Sequence, residues 1–297
     1  MKKITIIGAG AWGSAFGKAL KNNGHEVRFL DIGDTAWPAD GHGDYVILAV
    51  PCQVVRKVLA LYSSPSAPVF SLIKGLEVSS HKLVSEIVRE VWRKDEVGVI
   101  SGPSLASEVQ ANIPTVVVVA ANDEKLAAEM QQVVHSKIFR AYRSTDLIGV
   151  ELGGALKNVY ALAGGICQGL RLGENTMAAL MTRALAEMSR IAAVKGGRVE
   201  TIYGLSGMGD LLLTAYSPES RNHKVGEALG RGRELSEILR NLAGTAEGVP
   251  TVKALHELAR EKRIKAPIVS ELYQMLYCGK SPAKGLHALM ERKAELE

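Results

Sequence analysis

The chain begins with a short β-branched run that leads directly into a glycine-rich turn. Residues Ile4–Ile7 are followed by Gly8-Ala9-Gly10-Ala11-Trp12-Gly13, which has the spacing GxGxxG. Between a strand and a helix, the first glycine permits a tight turn and the second lets a diphosphate approach the backbone, while the third lets the helix pack on the strand. Free N–H groups at the start of the helix attract phosphate.

The turn therefore predicts a dinucleotide site, formed by Gly8, Gly10, Ala11, Trp12 and Gly13. The alternative is a purely structural glycine turn in another α/β protein. Trp12 suits core packing as well as it suits contact with a coenzyme.

An acidic residue follows the second apolar run. Asp31 comes directly after the run Val27–Leu30, about 20 residues beyond the glycine turn. A carboxylate there can accept hydrogen bonds from the adenosine ribose and would repel a 2′-phosphate, which slightly favours NAD over NADP. Arg28 lies close in sequence and weakens the argument, and a solvated turn carboxylate is the alternative for Asp31.

Short β-branched runs alternate with helical patterns through the first half of the chain. The alternation predicts βαβ units and a mainly parallel sheet, and the continuous apolar character of the runs indicates burial on both faces. The predicted strands are Ile4–Ile7, Val27–Leu30, Tyr45–Val50, Val69–Leu72, Val97–Ile100, Thr115–Val119 and, more weakly, Phe139–Arg143. The predicted helices between them are Trp12–Asn22, Gln53–Leu61, Lys82–Trp92 and Glu124–Val134.

Helical periods fill the chain after about Asp146, where the strand signal ends. They predict helices over Leu147–Ala163, Asn175–Lys195, Asn222–Leu229, Leu235–Leu242, Val249–Arg260 and Pro267–Tyr277. In the second of these, methionines at helical spacing predict a core stripe, and Arg183 and Glu187 predict a structural pair. We expect the α/β class, with a Rossmann-type, doubly wound sheet over residues 1–146 and an all-α domain over 147–297. A cleft would separate the two.

The composition excludes several classes of protein. A net charge of +5 is too mild to indicate nucleic-acid binding, although it suits phosphorylated anions as ligands. The three cysteines are far apart and the seven histidines lack metal-ligand spacing, so we expect a reducing compartment and no metal. The first apolar run is too short for a signal peptide or a membrane span. We therefore expect a cytoplasmic protein with no direct membrane insertion.

Seven short motifs occur in order along nearly the whole chain. They are Ile73-Lys74-Gly75, Ser101-Gly102-Pro103-Ser104-Leu105-Ala106, Glu151-Leu152-Gly153-Gly154-Ala155-Leu156-Lys157-Asn158, Gly173-Glu174-Asn175-Thr176, Gly207-Met208-Gly209-Asp210-Leu211, Ser220-Arg221-Asn222 and Ala246-Glu247-Gly248-Val249. Together they resemble the NAD(P)-dependent glycerol-3-phosphate dehydrogenase family of bacteria.

The resemblance implies an oxidoreductase with NAD or NADP as coenzyme and a small phosphorylated substrate. It would transfer a hydride reversibly between NAD(P)H and dihydroxyacetone phosphate, giving sn-glycerol 3-phosphate, a precursor of glycerophospholipids. One departure is clear, because the segment from Asp31 to Asp44 is shorter than in the family and lacks the arginine that normally follows the second strand. This departure affects the adenosine side of the coenzyme site.

Lys157 is the predicted catalytic residue. Its ammonium could polarise the substrate carbonyl and donate a proton, and burial in a cleft would lower its pKa towards the working pH. The small residues Gly153-Gly154-Ala155 before it allow another backbone to approach closely. The resemblance matches Lys157 to the catalytic lysine of the family. The alternative is a surface lysine on an ordinary helix.

The ends of two predicted strands supply further candidates, because ligands bind at the carboxyl edge of open α/β sheets. Lys74 would touch the substrate or the nicotinamide ribose. Gly102 and Ser104 would face the substrate and Ala106 the coenzyme, as the resemblance implies. A solvated loop lysine is the alternative for Lys74, and a helix N-cap is the alternative for Ser104.

The helical half supplies the remaining candidates for the substrate. Asp210 could bind the C1 hydroxyl and orient Lys157 through a charged hydrogen bond, or it could be a helix N-cap. Arg221 is suited to phosphate because its guanidinium matches phosphate oxygens, with Asn222 as a neutral donor and Ser220 beside them.

The resemblance places the Ser220-Arg221-Asn222 trio beside both the substrate and the coenzyme, although a solvent-facing helix start is the alternative. Glu247 would reach the ribose or amide of the coenzyme, and Thr245 is a weaker candidate for the same role.

Two rival functions stay open at the level of sequence. One is a different two-domain dehydrogenase that acts on hydroxyacids or on a 6-phosphogluconate-like substrate, and the other is a non-catalytic NAD(P)-binding sensor. A homodimer could form through the helical half, but no sequence feature shows one.

Overall fold

The structure is a computed structural model that describes residues 1–293. Seven short strands form one sheet in the first half of the chain, as predicted. The strands are β1 (Lys3–Ile7), β2 (Glu26–Leu30), β3 (Tyr45–Leu48), β4 (Val69–Ser71), β5 (Val97–Ser101), β6 (Thr115–Ala121) and β7 (Phe139–Ser144).

The sheet is mainly parallel, in the order β2-β1-β3-β4-β5-β6-β7. Only the β5–β6 pair is antiparallel. Ile7 pairs with Leu30 of β2 and with Leu48 of β3, so the carboxyl ends of these strands lie at one edge of the sheet. The order of strands places the glycine turn after β1 near the loops that follow β3 and β4.

Fourteen α-helices lie among the described residues. They are α1 (Ala11–Asn22), α2 (Val55–Leu59, after a 3₁₀ turn at Cys52–Val54), α3 (Val84–Trp92), α4 (Ala106–Gln110), α5 (Glu124–Val134), α6 (Leu147–Gly169), α7 (Gly173–Lys195), α8 (Val199–Ile202), α9 (Asp210–Tyr216, after a π-helical turn at Leu205–Gly209), α10 (Arg221–Gly230), α11 (Leu235–Arg240), α12 (Gly248–Glu261), α13 (Pro267–Tyr277) and α14 (Pro282–Met290).

The long predicted helices are present, whereas four short ones, α4, α8, α9 and α14, were not predicted. The predicted helix over Gln53–Leu61 is shorter and begins with the 3₁₀ turn. Short helices are marginal by themselves and form through tertiary packing, so their local signal is weak. Among residues 1–293, none of the helices combines the length and the apolar character that crossing a bilayer requires.

Apolar clusters cover both faces of the sheet. One face packs against α1 and α5 through residues such as Phe16 and Met130, and the other packs against α2 and α3 through residues such as Leu59 and Ile87. The apolar strands therefore face hydrophobic clusters on both sides, as their continuous apolar pattern predicted.

Helix α6 is the centre of the helical half. It is buried along nearly its whole length, and its small residues let other helices pack on its backbone. A side chain at Gly165 would collide with the carbonyl of His223 in α10, and one at Gly226 of α10 would collide with the carbonyl of Leu162. Helix α6 carries Lys157 and α10 carries Arg221. The close packing of the two helices therefore fixes the positions of these residues' backbones relative to each other.

The Met177, Met181 and Met188 stripe is buried in this core, as predicted. The predicted pair of Arg183 with Glu187 is wrong. Glu187 instead accepts hydrogen bonds from the Tyr160 hydroxyl and from the backbone N–H groups of residues 268 and 269 at the start of α13. A buried carboxylate needs several donors, and Arg183 is exposed to solvent.

Candidate active site

The glycine turn has the geometry that a diphosphate requires. Gly8 has φ of +108°, which favours glycine. A side chain at Gly13 would collide with the Gly8 carbonyl, whereas one at Gly10 would meet no atom within 4 Å, so the backbone at Gly10 is open. Helix α1 begins at Ala11 without a side-chain cap from the described residues. Its first N–H groups can therefore bind an anion, and these residues fit a dinucleotide.

Two neighbours of this turn occupy different environments. The Trp12 ring packs on Phe16, with 5.9 Å between ring centroids, and joins the core beside the sheet. Its core role is therefore observed, whereas its contact with coenzyme stays a prediction. Asp31 is exposed directly after β2, and the Gly8 N–H donates to the Leu30 carbonyl at 2.7 Å. This hydrogen bond places Asp31 beside the glycine turn.

Asp210 joins the two predicted lysines. One of its carboxylate oxygens accepts from Lys157 Nζ at 2.8 Å, and the other accepts from Lys74 Nζ at 2.5 Å. Asp210 is fully buried. The helix-cap interpretation of Asp210 is wrong, because Gly209 occupies the cap position of α9 and the carboxylate binds the lysines instead. The charged hydrogen bond that we predicted between Lys157 and Asp210 is present.

Thr214 belongs to the same cluster but is not among the residues predicted from the sequence. Its hydroxyl accepts from Lys157 Nζ at 2.7 Å, and it lies one turn after Asp210 in α9. The spacing of four residues between Asp210 and Thr214 places both on one face of a helix, which was the available signal. The Lys157 ammonium is thus held by a carboxylate and a hydroxyl together.

The charges of this cluster shift one another's protonation. Burial lowers the pKa of Lys157 to about 8, against the attraction of Asp210 and with a contribution from the positive charge of Lys74. Burial by itself would raise the pKa of Asp210, but the two ammonium groups outweigh it and hold that pKa below its ordinary value. Lys157 can therefore give up a proton near neutral pH while Asp210 stays ionised.

The Gly102-Pro103-Ser104 turn lies against the Lys74 side chain. Gly102 has φ of +138°, and its carbonyl accepts from Lys74 Nζ at 3.1 Å and from the Ser104 hydroxyl at 2.9 Å. Ser104 does not cap α4, which begins at Ala106 with Leu105 at the cap position. The small residue Gly154 of α6 makes room, because a side chain there would press on Ser101 and on the Lys74 chain.

Residues 220–222 divide between structure and site. The Ser220 hydroxyl caps α10, accepting from the His223 N–H at 3.2 Å. Asn222 is buried in a chain of amides, donating to the Asn158 side chain at 2.9 Å and accepting from the Gly248 N–H at 2.9 Å. Arg221 is exposed, and its positive charge is felt at both Lys157 and Glu247. Of the three, Arg221 is best placed for an anionic ligand.

Glu247 faces the same region from the start of α12. Its Oε2 is buried and has no hydrogen-bond partner within residues 1–293, and it lies close to Gly75, directly after Lys74. Burial raises the pKa of Glu247 to about 6. A buried acceptor without a partner suits a ligand hydroxyl or amide. Thr245 is exposed two residues earlier, and Ala106 is half-buried at the start of α4.

The fold and this cluster together define a class: two-domain dehydrogenases that use a nicotinamide coenzyme. The glycine turn and the loop carrying Lys74 lie at the carboxyl edge of the sheet, where open α/β sheets bind their ligands. The helical half contributes the buried lysine and carboxylate.

Comparison with known proteins identifies the family. The family model for the N-terminus of NAD-dependent glycerol-3-phosphate dehydrogenase matches residues 3–37 and 38–127. The family model for its C-terminus matches residues 146–287. The chain belongs to the NAD-dependent glycerol-3-phosphate dehydrogenase family, which confirms the resemblance. The N-terminal match is interrupted inside the short segment between Asp31 and Asp44.

Individual relatives agree with this assignment. Glycerol-3-phosphate dehydrogenase (NAD(P)+) of Citrifermentans bemidjiense is 40% identical over 332 aligned positions, which cover 100% of this chain and 99% of that protein. The protein of the same name from Desulfitobacterium hafniense is 38% identical, covering 100% and 94%. The crystal structure of glycerol-3-phosphate dehydrogenase from Coxiella burnetii superposes with a TM-score of 0.90 at 33% identity, covering 98% of this chain and 99% of that one.

Proposed function

We propose that this protein catalyses the reversible, NAD(P)-linked conversion of dihydroxyacetone phosphate to sn-glycerol 3-phosphate, a glycerophospholipid precursor. The observation that carries the proposal is the bridge from Asp210 to Lys74 and Lys157. It joins a residue after β4, at the edge that holds the glycine turn, to the centre of the helical half. A ketone bound there would have an ammonium group within reach of its oxygen.

Lys157 is the proposed proton donor to the C2 oxygen during reduction. Its ammonium is buried and its pKa is about 8, close to the pH at which it must donate and recover a proton. Asp210 and Thr214 hold the amine in place, and Asp210 can also bind the C1 hydroxyl. An ionised Asp210 stabilises the ammonium before transfer, while burial favours its release of the proton.

The substrate phosphate is proposed to bind Arg221. Its guanidinium is exposed at the start of α10, and phosphate oxygens match its planar donors. Lys74, Gly102 and Ser104 complete the substrate side, with Ser220 and Asn222 chiefly supporting the Arg221 loop through their own hydrogen bonds.

The coenzyme would be held by both halves of the chain. The glycine turn (Gly8, Gly10, Ala11, Trp12 and Gly13) would bind the diphosphate, Asp31 the adenosine ribose, and Lys74, Ala106, Arg221, Thr245 and Glu247 the nicotinamide side. When bound, the coenzyme supplies or accepts the hydride at C2. The protein contributes position, proton transfer and charge.

Several wider expectations accompany this function. The division into residues 1–146 and 147–297, cytoplasmic residence, the homodimer and the absence of a nucleic-acid partner stay predictions.

Absorbance of the reduced nicotinamide tests the function directly. We expect oxidation of NADH or NADPH with dihydroxyacetone phosphate, and a fall in turnover of about 10²–10⁴-fold for Lys157→Ala, the usual range for a proton-transfer residue. The exposed Lys137, which lies between α5 and β7, provides the control Lys137→Ala, which should leave turnover unchanged.

Faster turnover on a panel of 2-keto or 3-keto acids would favour the other dehydrogenases instead. Coenzyme binding with no turnover on any phosphorylated ketone would favour a sensor. Full activity of Lys157→Ala would refute the assigned mechanism while leaving the reaction itself intact.

A further inference from the structure

The segment between β2 and β3 is unusual in its charge. Residues 31–44 contain Asp31, Asp34, Asp40 and Asp44 but neither lysine nor arginine. The segment starts beside the glycine turn, because Ile7 pairs with Leu30 and the Gly8 N–H donates to the Leu30 carbonyl. In this fold, that position is where the adenosine ribose of a dinucleotide lies.

Asp34 closes the start of the segment into a tight turn. Its carboxylate accepts from the Asp31 backbone N–H at 2.8 Å, and its own N–H donates to the Asp31 carbonyl at 3.0 Å. The N–H that could have met an anionic ligand is thus occupied, and a second carboxylate stands beside Asp31. A 2′-phosphate would therefore be repelled by two carboxylates and could not accept a hydrogen bond from the Asp31 N–H.

Arg28, in β2, is the cation nearest in sequence to Asp31, and it is already engaged. Its two terminal nitrogens donate to the two carboxylate oxygens of Asp40, each at 2.6 Å, and one also donates to the Gly41 carbonyl at 3.3 Å. A bidentate pair of this kind is both strong and directional. Arg28 is therefore held along the segment rather than offered to a ligand.

Aromatic side chains hold the segment in place. Trp37 donates to the Ser63 carbonyl at 3.0 Å and packs against Tyr62, with 4.9 Å between ring centroids. The Tyr62 hydroxyl donates to the Asp34 carbonyl at 2.7 Å. These contacts fix the acidic turn relative to the sheet, so the segment is organised before a coenzyme arrives.

We propose that residues 31–44 make this protein selective for NAD(H) over NADP(H). The Asp31 carboxylate accepts a hydrogen bond from the 2′-hydroxyl of the ribose. Asp34 adds a second negative charge and occupies the Asp31 N–H, and Asp40 pairs with Arg28, the nearby cation. The inference rests on the proposed coenzyme site but not on the identity of the ketone. It goes further than the names of the relatives, which specify both coenzymes.

Calorimetric titration of the ligand-free protein measures the selectivity without turnover. The ligands are NADH, NADPH, and the fragments 5′-AMP and 2′,5′-ADP. We expect NADH to bind at least about 10²-fold more tightly than NADPH, because placing like charges together costs several kcal/mol and 1.4 kcal/mol corresponds to tenfold. The AMP fragment should show the same preference.

Two variants identify the segment as the cause. Asp31→Asn with Asp34→Asn removes both charges at nearly constant shape, and should narrow the ratio of the NADPH and NADH dissociation constants at least about tenfold. The single variant Asp31→Asn, at an exposed side chain, should narrow it less. Asp95→Asn changes an exposed carboxylate that precedes β5. It lies at the amino-terminal ends of the parallel strands, away from the proposed coenzyme site, so this variant should leave the ratio of the two dissociation constants unchanged.

The outcomes separate this inference from the proposed function. Equal affinities in the wild type, or tighter binding of NADPH, would overturn the selectivity while leaving the reaction intact. An unchanged ratio in folded Asn variants, judged by circular dichroism, would show that residues 31–44 do not cause it. Failure of both coenzymes to bind would instead refute the proposed coenzyme site itself.

Discussion

The two ends of the proposed site are built in opposite ways. At the substrate end, Lys157 and Asp210 are buried and bind each other, with Lys74 as a third member. At the adenosine end, Asp31 and Asp34 are exposed, and the Asp31 backbone N–H donates to the Asp34 carboxylate.

The difference reflects what each end must do. Charges that act on a reacting bond are more effective where water is excluded, because the local dielectric is low. Recognition of a ribose hydroxyl needs only an acceptor of the right sign at the surface. A change of one charge should therefore be severe at the first end and mild at the second.

The largest contrast should come from the same substitution at the two ends. Asp210→Asn leaves two lysines without their shared carboxylate, so we expect turnover to fall about 10²–10³-fold and unfolding free energy to fall by roughly 3–5 kcal/mol. Asp31→Asn should change the unfolding free energy by about 0.5 kcal/mol or less. Steady-state kinetics and urea denaturation measure both, and equal losses at the two positions would contradict the comparison.

The pH dependence should also distinguish the ends. Because the pKa of Lys157 is about 8, its ammonium is lost as pH rises through that value. Ketone reduction, which needs the proton, should fall by up to about tenfold per unit above pH 8, whereas oxidation of the alcohol should gain from the free amine. Binding of 5′-AMP should not follow this titration. A reduction rate that rises with pH through this range would exclude Lys157 as the acid.

The smallest expected effect concerns Thr214. Thr214→Val removes one hydrogen bond to the Lys157 ammonium, which should lower turnover roughly tenfold, since a bond to a charged group contributes about 1.5 kcal/mol at the lower end of its range. Thr214→Ser keeps the hydroxyl and should retain most activity. The pH at which reduction declines should also shift in the valine variant. Equal behaviour of the two variants would mean that the hydroxyl does not position the amine.

Much of the fold follows from local sequence patterns. The β-branched runs and the 3.6-residue periods depend on neighbouring residues, so they predicted the seven strands and the long helices. The spacing of the glycine turn is visible in the local sequence, although its constraint is only partly local: Gly13 packs on the Gly8 carbonyl five residues earlier, whereas a side chain at Gly8 would collide with Ala49, which follows β3. The small residues before Lys157 likewise indicated a helix that others approach closely.

The assembly of the site depended on tertiary structure. Lys74, Lys157 and Asp210 lie far apart in the chain, and the sequence suggested them singly or in pairs, whereas the three-way bridge appears only when β4, α6 and α9 pack together. The spacing of Thr214 after Asp210 was visible in the sequence, but its contact with Lys157 depends on the packing of α9 against α6.

The sequence alone determined the dinucleotide turn, the α/β order and the catalytic candidates, because each is encoded by spacing within a short window. Only the tertiary structure decided that Glu187 caps α13, that Asn222 is held in a chain of amides, and that Arg28 is taken by Asp40. Polar groups removed from water, such as those of Glu187 and Asn222, bind whichever partner the packing brings within reach, and that partner need not be near in the chain. Arg28 is not buried, but it likewise pairs with a carboxylate that the fold brings beside it.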